Sequence, residues 1–422
     1  MKYAVVTFGC RVNQADSLAF EERLRARGAI ASAPSDADVV IVNTCSVTAS
    51  ADQGARQTIR RIARDNPSAR LVVTGCYATR RSEEVAALPN VVRIVRNADK
   101  DRLVDAVADE AGLTTAERFG AGDGACGADI EPGVAGRTAF TLRVQTGCEQ
   151  RCSYCIIPST RGAGRSLTTE HVRREVQRVV SAGFKEVALT GVHLGSYGRD
   201  LAPRSSLVAL LRLLDSSGGD VVFRISSLEP MDCTPDVVDI VAASDGRFAP
   251  HFHLPLQHAS DRVLARMCRP YTLDSYRRLI DRIVTRMPHA SVGSDMIAGF
   301  PGETDEEFEA NLEYLPRSAL SHLHVFPYSD RPGTVASAMD AKVPGPVVRA
   351  RASALRQVGA ELSRRFRDAQ VGTVRPALTL DDGTLVVTDN YMKLRIPSGL
   401  ARNVRVVVRV DSETTASPVG PT

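Results

Sequence analysis

No stretch of this 422-residue chain approaches the roughly 20 consecutive apolar residues of a membrane-spanning helix. The opening "MKYAVVTFGC" runs straight into a strand-like pattern and lacks the apolar core and cleavage site of a secretory signal. The chain also lacks an even cysteine count: it has nine, which without a secretory signal argues against an extracellular disulfide framework. A reducing compartment, the cytoplasm, is the expectation. Lysine is scarce, only five of 53 basic residues, so arginine carries the positive charge. The net charge of +4 is unevenly spread. Between Lys342 and Arg409 thirteen basic residues face five acidic ones, a balance of +8, which leaves −4 for the remainder. That basic stretch reads either as a footprint for a polyanion such as RNA or DNA, or as a solvated arginine-rich helix face. What remains is the composition of a globular protein, 43% hydrophobic and 24% charged, long enough for two or three domains.

The first hundred residues repeat one unit. "YAVVTFGC", "DVVIVNTC" and "RLVVTGC" are short β-branched runs ending at Cys10, Cys45 and Cys76. Each reads as a buried parallel strand. The amphipathic stretches "ADSLAFEERLRARG" and "ADQGARQTIRRIARDN" supply the crossovers. Parallel strands end on one edge, so three thiols far apart in sequence are expected to converge there. Buried cysteine is common, but three at three strand ends point to a metal or cluster.

A second group lies in "GCEQRCSYCIIPSTRG", with Cys148, Cys152 and Cys155 spaced C-x3-C-x2-C. A zinc ribbon needs paired C-x2-C knuckles and four ligands. Three thiolates on one loop suit three irons of a cubane whose fourth iron stays open, which suggests a cluster that binds something. The Gly/Ala-rich passage 119–136 reads as a linker, with Cys126 incidental.

From Thr138 to Ser329 strand candidates "AFTLRVQTG", "KEVALTG", "VVFRISSL", "HFHLPLQ", "SVGSDMIAGF" and "LSHLHVFPYS" alternate with helical stretches, and Thr304 with Glu307 forms a capping box. Six βα units predict a complete or partial parallel barrel, with its site at the strands' C-terminal ends and the cysteine loop at its mouth. His251, His253 and His258 read as core or cleft histidines rather than metal ligands. Arg224 has an interior carboxylate, Asp295, as an alternative partner. Beyond Lys342 a helix with Leu355, Val358, Leu362 and Phe366 on one stripe precedes four short strands. These predict a compact antiparallel barrel that either binds oligonucleotides or only caps the larger one.

The C-x3-C-x2-C loop after the first strand of such a barrel, with Tyr154 before its last cysteine, resembles the radical S-adenosylmethionine (radical SAM) superfamily. Its flanks, the Cys10, Cys45 and Cys76 set, and "SDMIAGFPGET" make nearly the whole chain similar to the methylthiotransferases. The resemblance implies an α/β chain of five parts. They are an N-terminal methylthiotransferase domain (1–112), a linker (113–136), a partial (βα)6 radical SAM core (137–366), a TRAM-like RNA-binding β domain (367–412) and a tail (413–422). It implies two [4Fe–4S] clusters, on Cys148, Cys152 and Cys155 and on Cys10, Cys45 and Cys76. S-adenosylmethionine would bind at the first, near Tyr154 and the strand-end residues Thr190, Gly191, Arg224, Ser226 and Gln257. The implied reaction replaces an aromatic C–H by C–S–CH3, with no catalytic side chain beyond the cluster ligands. "TGVHLGSYG", "RISSLEP" and "LHVFPYSDRPGT" look most like the branch that modifies N6-threonylcarbamoyladenosine at position 37 of tRNA. The partners implied are the tRNA anticodon stem-loop and an electron donor such as a flavodoxin or ferredoxin, with no membrane. The isopentenyladenosine branch and the ribosomal-protein aspartate branch are the alternatives within the family. Outside it stands an RNA-binding module with a structural metal centre.

Overall fold

A computed structural model describes residues 1–111, 130, 132, 138–397 and 399–420. Most of the expected linker, with Cys126, lies outside the described residues. The chain forms two compact units. The first comprises Met1–Ile130, Thr146–Gln150 and Cys155–Ala163, and the second Glu131–Gln145, Arg151–Tyr154 and Gly164–Thr422. Among the described residues no helix is long and apolar enough to cross a membrane.

The first unit is built on β1 (Lys2–Thr7), β2 (Ile30–Ala31), β3 (Val39–Thr44), β4 (Arg70–Gly75) and β5 (Val91–Val95). They pair in parallel in the order β2-β1-β3-β4-β5. Strand β3 is buried along its whole length, because alternate side chains enter two separate cores. Val40 and Val42 pack with Ala55, Ile59 and Ile62 of the helix Ala49–Asp65. Val39 and Ile41 pack with Phe20 and Leu24 of the helix Arg11–Arg25 and with Leu103, Val104 and Val107. Full burial of a side chain such as Ile59 stabilises the unit by about 2–3 kcal/mol. The three strands expected from the sequence are present, while β2 and β5 are additions. Strand β5 is a partly exposed edge interrupted by Arg93, so its apolar pattern is weak.

In the second unit β6 (Phe140–Arg143), β9 (Glu186–Thr190) and β10 (Val222–Ile225) form one parallel sheet. Strands β7 (Gln145–Thr146) and β8 (Arg165–Ser166) bracket the cysteine loop. A second parallel sheet holds β11 (His251–His253), β12 (Ser291–Ala298) and β13 (His322–Pro327). The Phe223–Phe248 bridge and a 2.9 Å bond from Leu228 N to His253 O join the two sheets. The six strands thus follow chain order around a partial barrel, as expected. Thr304 and Glu307 form the expected reciprocal cap on the helix Asp305–Tyr314.

The helix Gly345–Gln370 buries Leu355, Val358 and Leu362. A Cβ on Gly359 would lie 3.2 Å from Leu323 Cβ, so the missing side chain lets this helix approach β13 closely. After it come β14 (Val374–Leu380), β15 (Leu385–Thr388), β16 (Lys393–Arg395), β17 (Arg405–Val410) and β18 (Ala416–Pro418), antiparallel in the order β16-β15-β14-β17-β18. The tail expected from 413 onwards therefore contributes a strand, because β18 pairs with β17. The sheet docks where the barrel strands begin: Asn390 Nδ2 donates to His289 O (2.9 Å), Asn403 Nδ2 to Gly183 O (2.8 Å), and Arg405 pairs with Asp220 (2.9 Å). It caps that end of the barrel.

Candidate functional site

In the first unit, Cys10 lies at the N-terminus of the helix Arg11–Arg25, Cys45 directly follows β3, and Cys76 opens the helix that follows β4. Cys45 and Cys76 are buried and Cys10 is exposed. Two glycines make the convergence possible. Gly9 has φ +92°, and a Cβ there would lie 2.6 Å from both Cβ and Sγ of Cys45. Gly75 has φ +99°, and its Cβ would lie 2.1 Å from Thr44 O. Burial pushes the Cys45 thiol up to about 11, and the neighbouring Cys76 and Cys10 add to that rise.

Polar side chains frame these thiols. Asn13 Nδ2 ties Phe8 O (2.8 Å) to Thr44 O (3.0 Å), fixing the β1 and β3 ends together. Asn97 Nδ2 donates to Cys76 Sγ (3.6 Å) and to Thr160 O (2.9 Å). Lys100 Nζ lies 2.7 Å from Asp16 Oδ2, with Arg161 Nη2 3.6 Å from the same oxygen and 2.5 Å from Asn13 Oδ1. All three charged residues are buried. Burial disfavours the Arg161 cation, but the neighbouring Cys76 and Asp16 outweigh it and raise its pKa. Burial pushes the Lys100 pKa down and the neighbouring Asp16 pushes it back up; Lys100 and Arg161 thus set two cationic groups against the Asp16 carboxylate. Three thiolates around an iron–sulfur core supply the opposite sign, so this donor set fits a cluster. The sequence offered a hint only of Arg161, close behind the second cysteine group; nothing in the local pattern marked Lys100, Asn97 or Asp16.

Gly9→Ala is expected to break this site alone. Protein reconstituted with iron and sulfide should hold about four irons where the parent holds about eight, counting two cubanes. Iron analysis checks it.

In the C-x3-C-x2-C loop, Cys148 and Cys155 belong to the first unit and Cys152 to the second. Within the first, Cys148 N donates to Gly162 O (3.0 Å) and its Sγ accepts from Gln150 N (3.4 Å). A Cβ on Gly147, at φ +78°, would lie 1.9 Å from Ala163 O, so the loop entry requires glycine. Within the second, Arg269 Nη1 donates to Cys152 Sγ at 2.9 Å. The same guanidinium pairs with Glu229 and donates from Nε to Tyr271 Oη (3.0 Å), which donates to Pro255 O (2.8 Å). Ser153 is tied to Arg266 O and Met267 O at 2.8 and 3.1 Å, and Tyr154 packs against Val263, Met267 and Phe300. Arg269 and Glu229 are further groups that the sequence reading did not single out.

The strand-end candidates separate into two sets. Thr190 ends β9, Gly191 follows with Gln145 Oε1 3.0 Å from where a Cβ would be, and Ser226 follows β10. Gln257 has φ +71°, uncommon for a residue with a side chain. Its N donates to Asp295 O at 2.8 Å and its O accepts from Ile297 N at 2.9 Å. All four lie at the C-terminal ends of the barrel strands. Arg224 departs from the expectation. It pairs with Glu186 at 2.9 and 3.1 Å, donates to Asp389 O at 2.9 Å, and stacks 4.7 Å from the Tyr391 ring centroid. Glu186 starts β9, so Arg224 is turned toward the C-terminal sheet and away from the mouth, and Asp295 is not its partner. Arg224→Ala is expected to cost about 3–5 kcal/mol by stranding Glu186. The Arg224→Met/Glu186→Leu pair should recover most of that in urea unfolding.

His258 is a core histidine as expected: it is fully buried, 3.0 Å from Glu303 Oε1 and 2.9 Å from Asn311 Nδ2.

Residues 2–96 match the Uncharacterized protein family UPF0004 and residues 142–315 the Radical SAM superfamily. Over 401 residues the chain is 35% identical to the threonylcarbamoyladenosine tRNA methylthiotransferase MtaB of Aquifex aeolicus, spanning 94% of this chain and 96% of that one. The chain belongs to the radical SAM methylthiotransferase family. The protein of the same name from Bacillus subtilis is 34% identical over 407 residues, with 92% and 88% of the two chains covered. Among solved structures the radical SAM methyltransferase TsrM of Kitasatospora setae shares the fold, with a TM-score of 0.57 at 16% identity over 80% of this chain and 77% of that one. For this methylthiotransferase the cofactors are [4Fe–4S] clusters and S-adenosylmethionine.

Proposed function

We propose that this methylthiotransferase inserts a methylthio group at C2 of N6-threonylcarbamoyladenosine at position 37 of tRNA. The observation that carries the reading is the likeness over 94% of the chain to a relative named for that substrate. The convergence of Cys10, Cys45 and Cys76 beside buried cations supports it.

Cys148, Cys152 and Cys155 hold one cluster, since eight residues of chain keep all three within reach of it. Cys10, Cys45 and Cys76 hold the other. When bound, the clusters and S-adenosylmethionine supply the one-electron chemistry, sulfur and methyl group that no side chain possesses. The protein's part is to hold and orient them. Arg269, donating to Cys152 Sγ, withdraws electron density from that ligand, and Lys100 with Arg161 offsets negative charge at the other set. Tyr154, Thr190, Gly191, Ser226 and Gln257 offer ring, backbone and polar contacts to S-adenosylmethionine at the strand ends.

The basic C-terminal sheet grips the anticodon stem-loop through its phosphates. Position 37 is single-stranded there, so the base is free to swing out into the barrel mouth. A flavodoxin or ferredoxin in the cytoplasm supplies electrons.

Mass spectrometry of tRNA nucleosides from cells lacking the protein tests the reading. The 2-methylthio form of N6-threonylcarbamoyladenosine should vanish while its unthiolated precursor accumulates. Loss of the methylthio isopentenyl nucleoside instead would assign the chain to the other tRNA branch.

A further inference from the structure

The interior face of β11, β12 and β13 carries a group of side chains that the cysteine sites do not use. The parallel register sets His253 beside Gly293, Gly293 beside His322, and Asp295 beside His324. Strand alternation therefore brings His251, His253, Asp295, His322 and His324 to one face. Phe252, Val292 and Met296, on the other, are buried. Gly293 makes room for this arrangement, since a Cβ there would lie 2.0 Å from His322 Nε2.

Within this group one carboxylate oxygen, Asp295 Oδ1, lies 3.0 Å from His253 Nε2 and 3.1 Å from His324 Nδ1. The three ligand atoms all fall within 4.8 Å of one another. Among the described residues the ion pairs of Asp295 are with these two imidazoles, and no Arg or Lys reaches it. Arg224, the interior cation that could have neutralised it, is bound to Glu186. A largely buried carboxylate is thus faced by nitrogen donors without a permanent positive charge. His253 is oriented from behind, its Nδ1 3.1 Å from Ser227 Oγ, the outer support that a metal-binding imidazole usually has. Ligands about 2.1 Å from a tetrahedral ion sit about 3.4 Å apart, so the two distances to Asp295 Oδ1 need to open by only a few tenths of an ångström. The His324 side chain is 57% exposed, which leaves the site open on that side.

We propose that His253, Asp295 and His324 bind one divalent cation of the zinc or ferrous type, with coordination positions left open for an oxygen ligand. Two imidazoles and one carboxylate are the donor set those ions favour. Resting on the function proposed above, the oxygen ligand is the carboxylate and hydroxyl of the threonylcarbamoyl group, which form a chelate. The proposal revises the reading of His253 as a plain cleft histidine.

The test uses the full chain with both iron–sulfur clusters in place, so that the cysteines are occupied, and zinc as the probe. After dialysis the parent should retain about one zinc per chain by elemental analysis. His324→Ala, a change at an exposed side chain, should retain less than about a tenth of that, with Asp295→Asn as the second variant and iron unchanged in both. No zinc in the parent, or equal zinc in parent and variants, would overturn the site and leave a hydrogen-bonded His–Asp–His group. This readout needs no tRNA, so it stands or falls apart from the nucleoside analysis. In a second arm, zinc should tighten binding of N6-threonylcarbamoyladenosine about tenfold and leave adenosine unaffected; equal affinities would refute the chelate.

Discussion

Cys152→Ala abolishes S-adenosylmethionine cleavage, whereas Cys45→Ala leaves cleavage measurable and stops formation of methylthiolated tRNA: this is the expected division of labour between the two cysteine sets. Cys152 lies on the loop whose three thiols sit within eight residues and are proposed above to hold the cluster that binds S-adenosylmethionine. Cys45 lies buried at the end of β3 among Cys10, Cys76 and two cations. Anaerobic assay of 5′-deoxyadenosine, beside nucleoside mass spectrometry of the same reaction, reads both losses. Arg269→Ala should fall between the extremes, slowing cleavage by about 10–100-fold, because it removes the donor at 2.9 Å from Cys152 Sγ while keeping the ligand. Equal loss of cleavage in the Cys152 and Cys45 variants would remove the assigned roles.

The second large effect belongs to the C-terminal sheet. Lys393 and Arg395 on β16 and Arg405 and Arg409 on β17 are exposed, each alternating with buried residues such as Leu394 and Val408. Arg405 is already paired with Asp220; among the described residues no ion pair engages the other three, which are the candidates for phosphate contact. The Lys393→Ala/Arg395→Ala/Arg409→Ala variant should bind tRNA about a hundredfold more weakly at low salt. Its dependence of log affinity on log salt should be shallower by about 2–3. Filter binding across a salt series measures both. An unchanged slope would mean that the sheet serves only as the barrel cap seen in its contacts with His289, Gly183 and Arg224. Removing the whole sheet would also strip Arg224 of its contacts with Asp389 and Tyr391, so the point variants are the cleaner measure of phosphate binding.

By itself the sequence determined the family, the six barrel strands and the small antiparallel unit, and it pointed to both cysteine sets. Each rests on a local signal: thiols within eight residues, β-branched runs that end in cysteine, a capping box at Thr304, a stripe along the helix Gly345–Gln370. Such patterns survive in one dimension because strand and helix periods are short. Only the tertiary structure decided which charges meet. Lys100 and Asp16 are 84 residues apart, Arg161 and Asn13 148 apart, and Arg224 reaches carbonyls more than 160 residues away. No period links such pairs, and an arginine has the same local pattern whether it meets Glu186 or Asp295. The same holds for β18, three residues long and strand only because β17 offers an open edge, and for His253, Asp295 and His324. Their approach depends on the register of three parallel strands, which long-range hydrogen bonding sets and no single strand encodes.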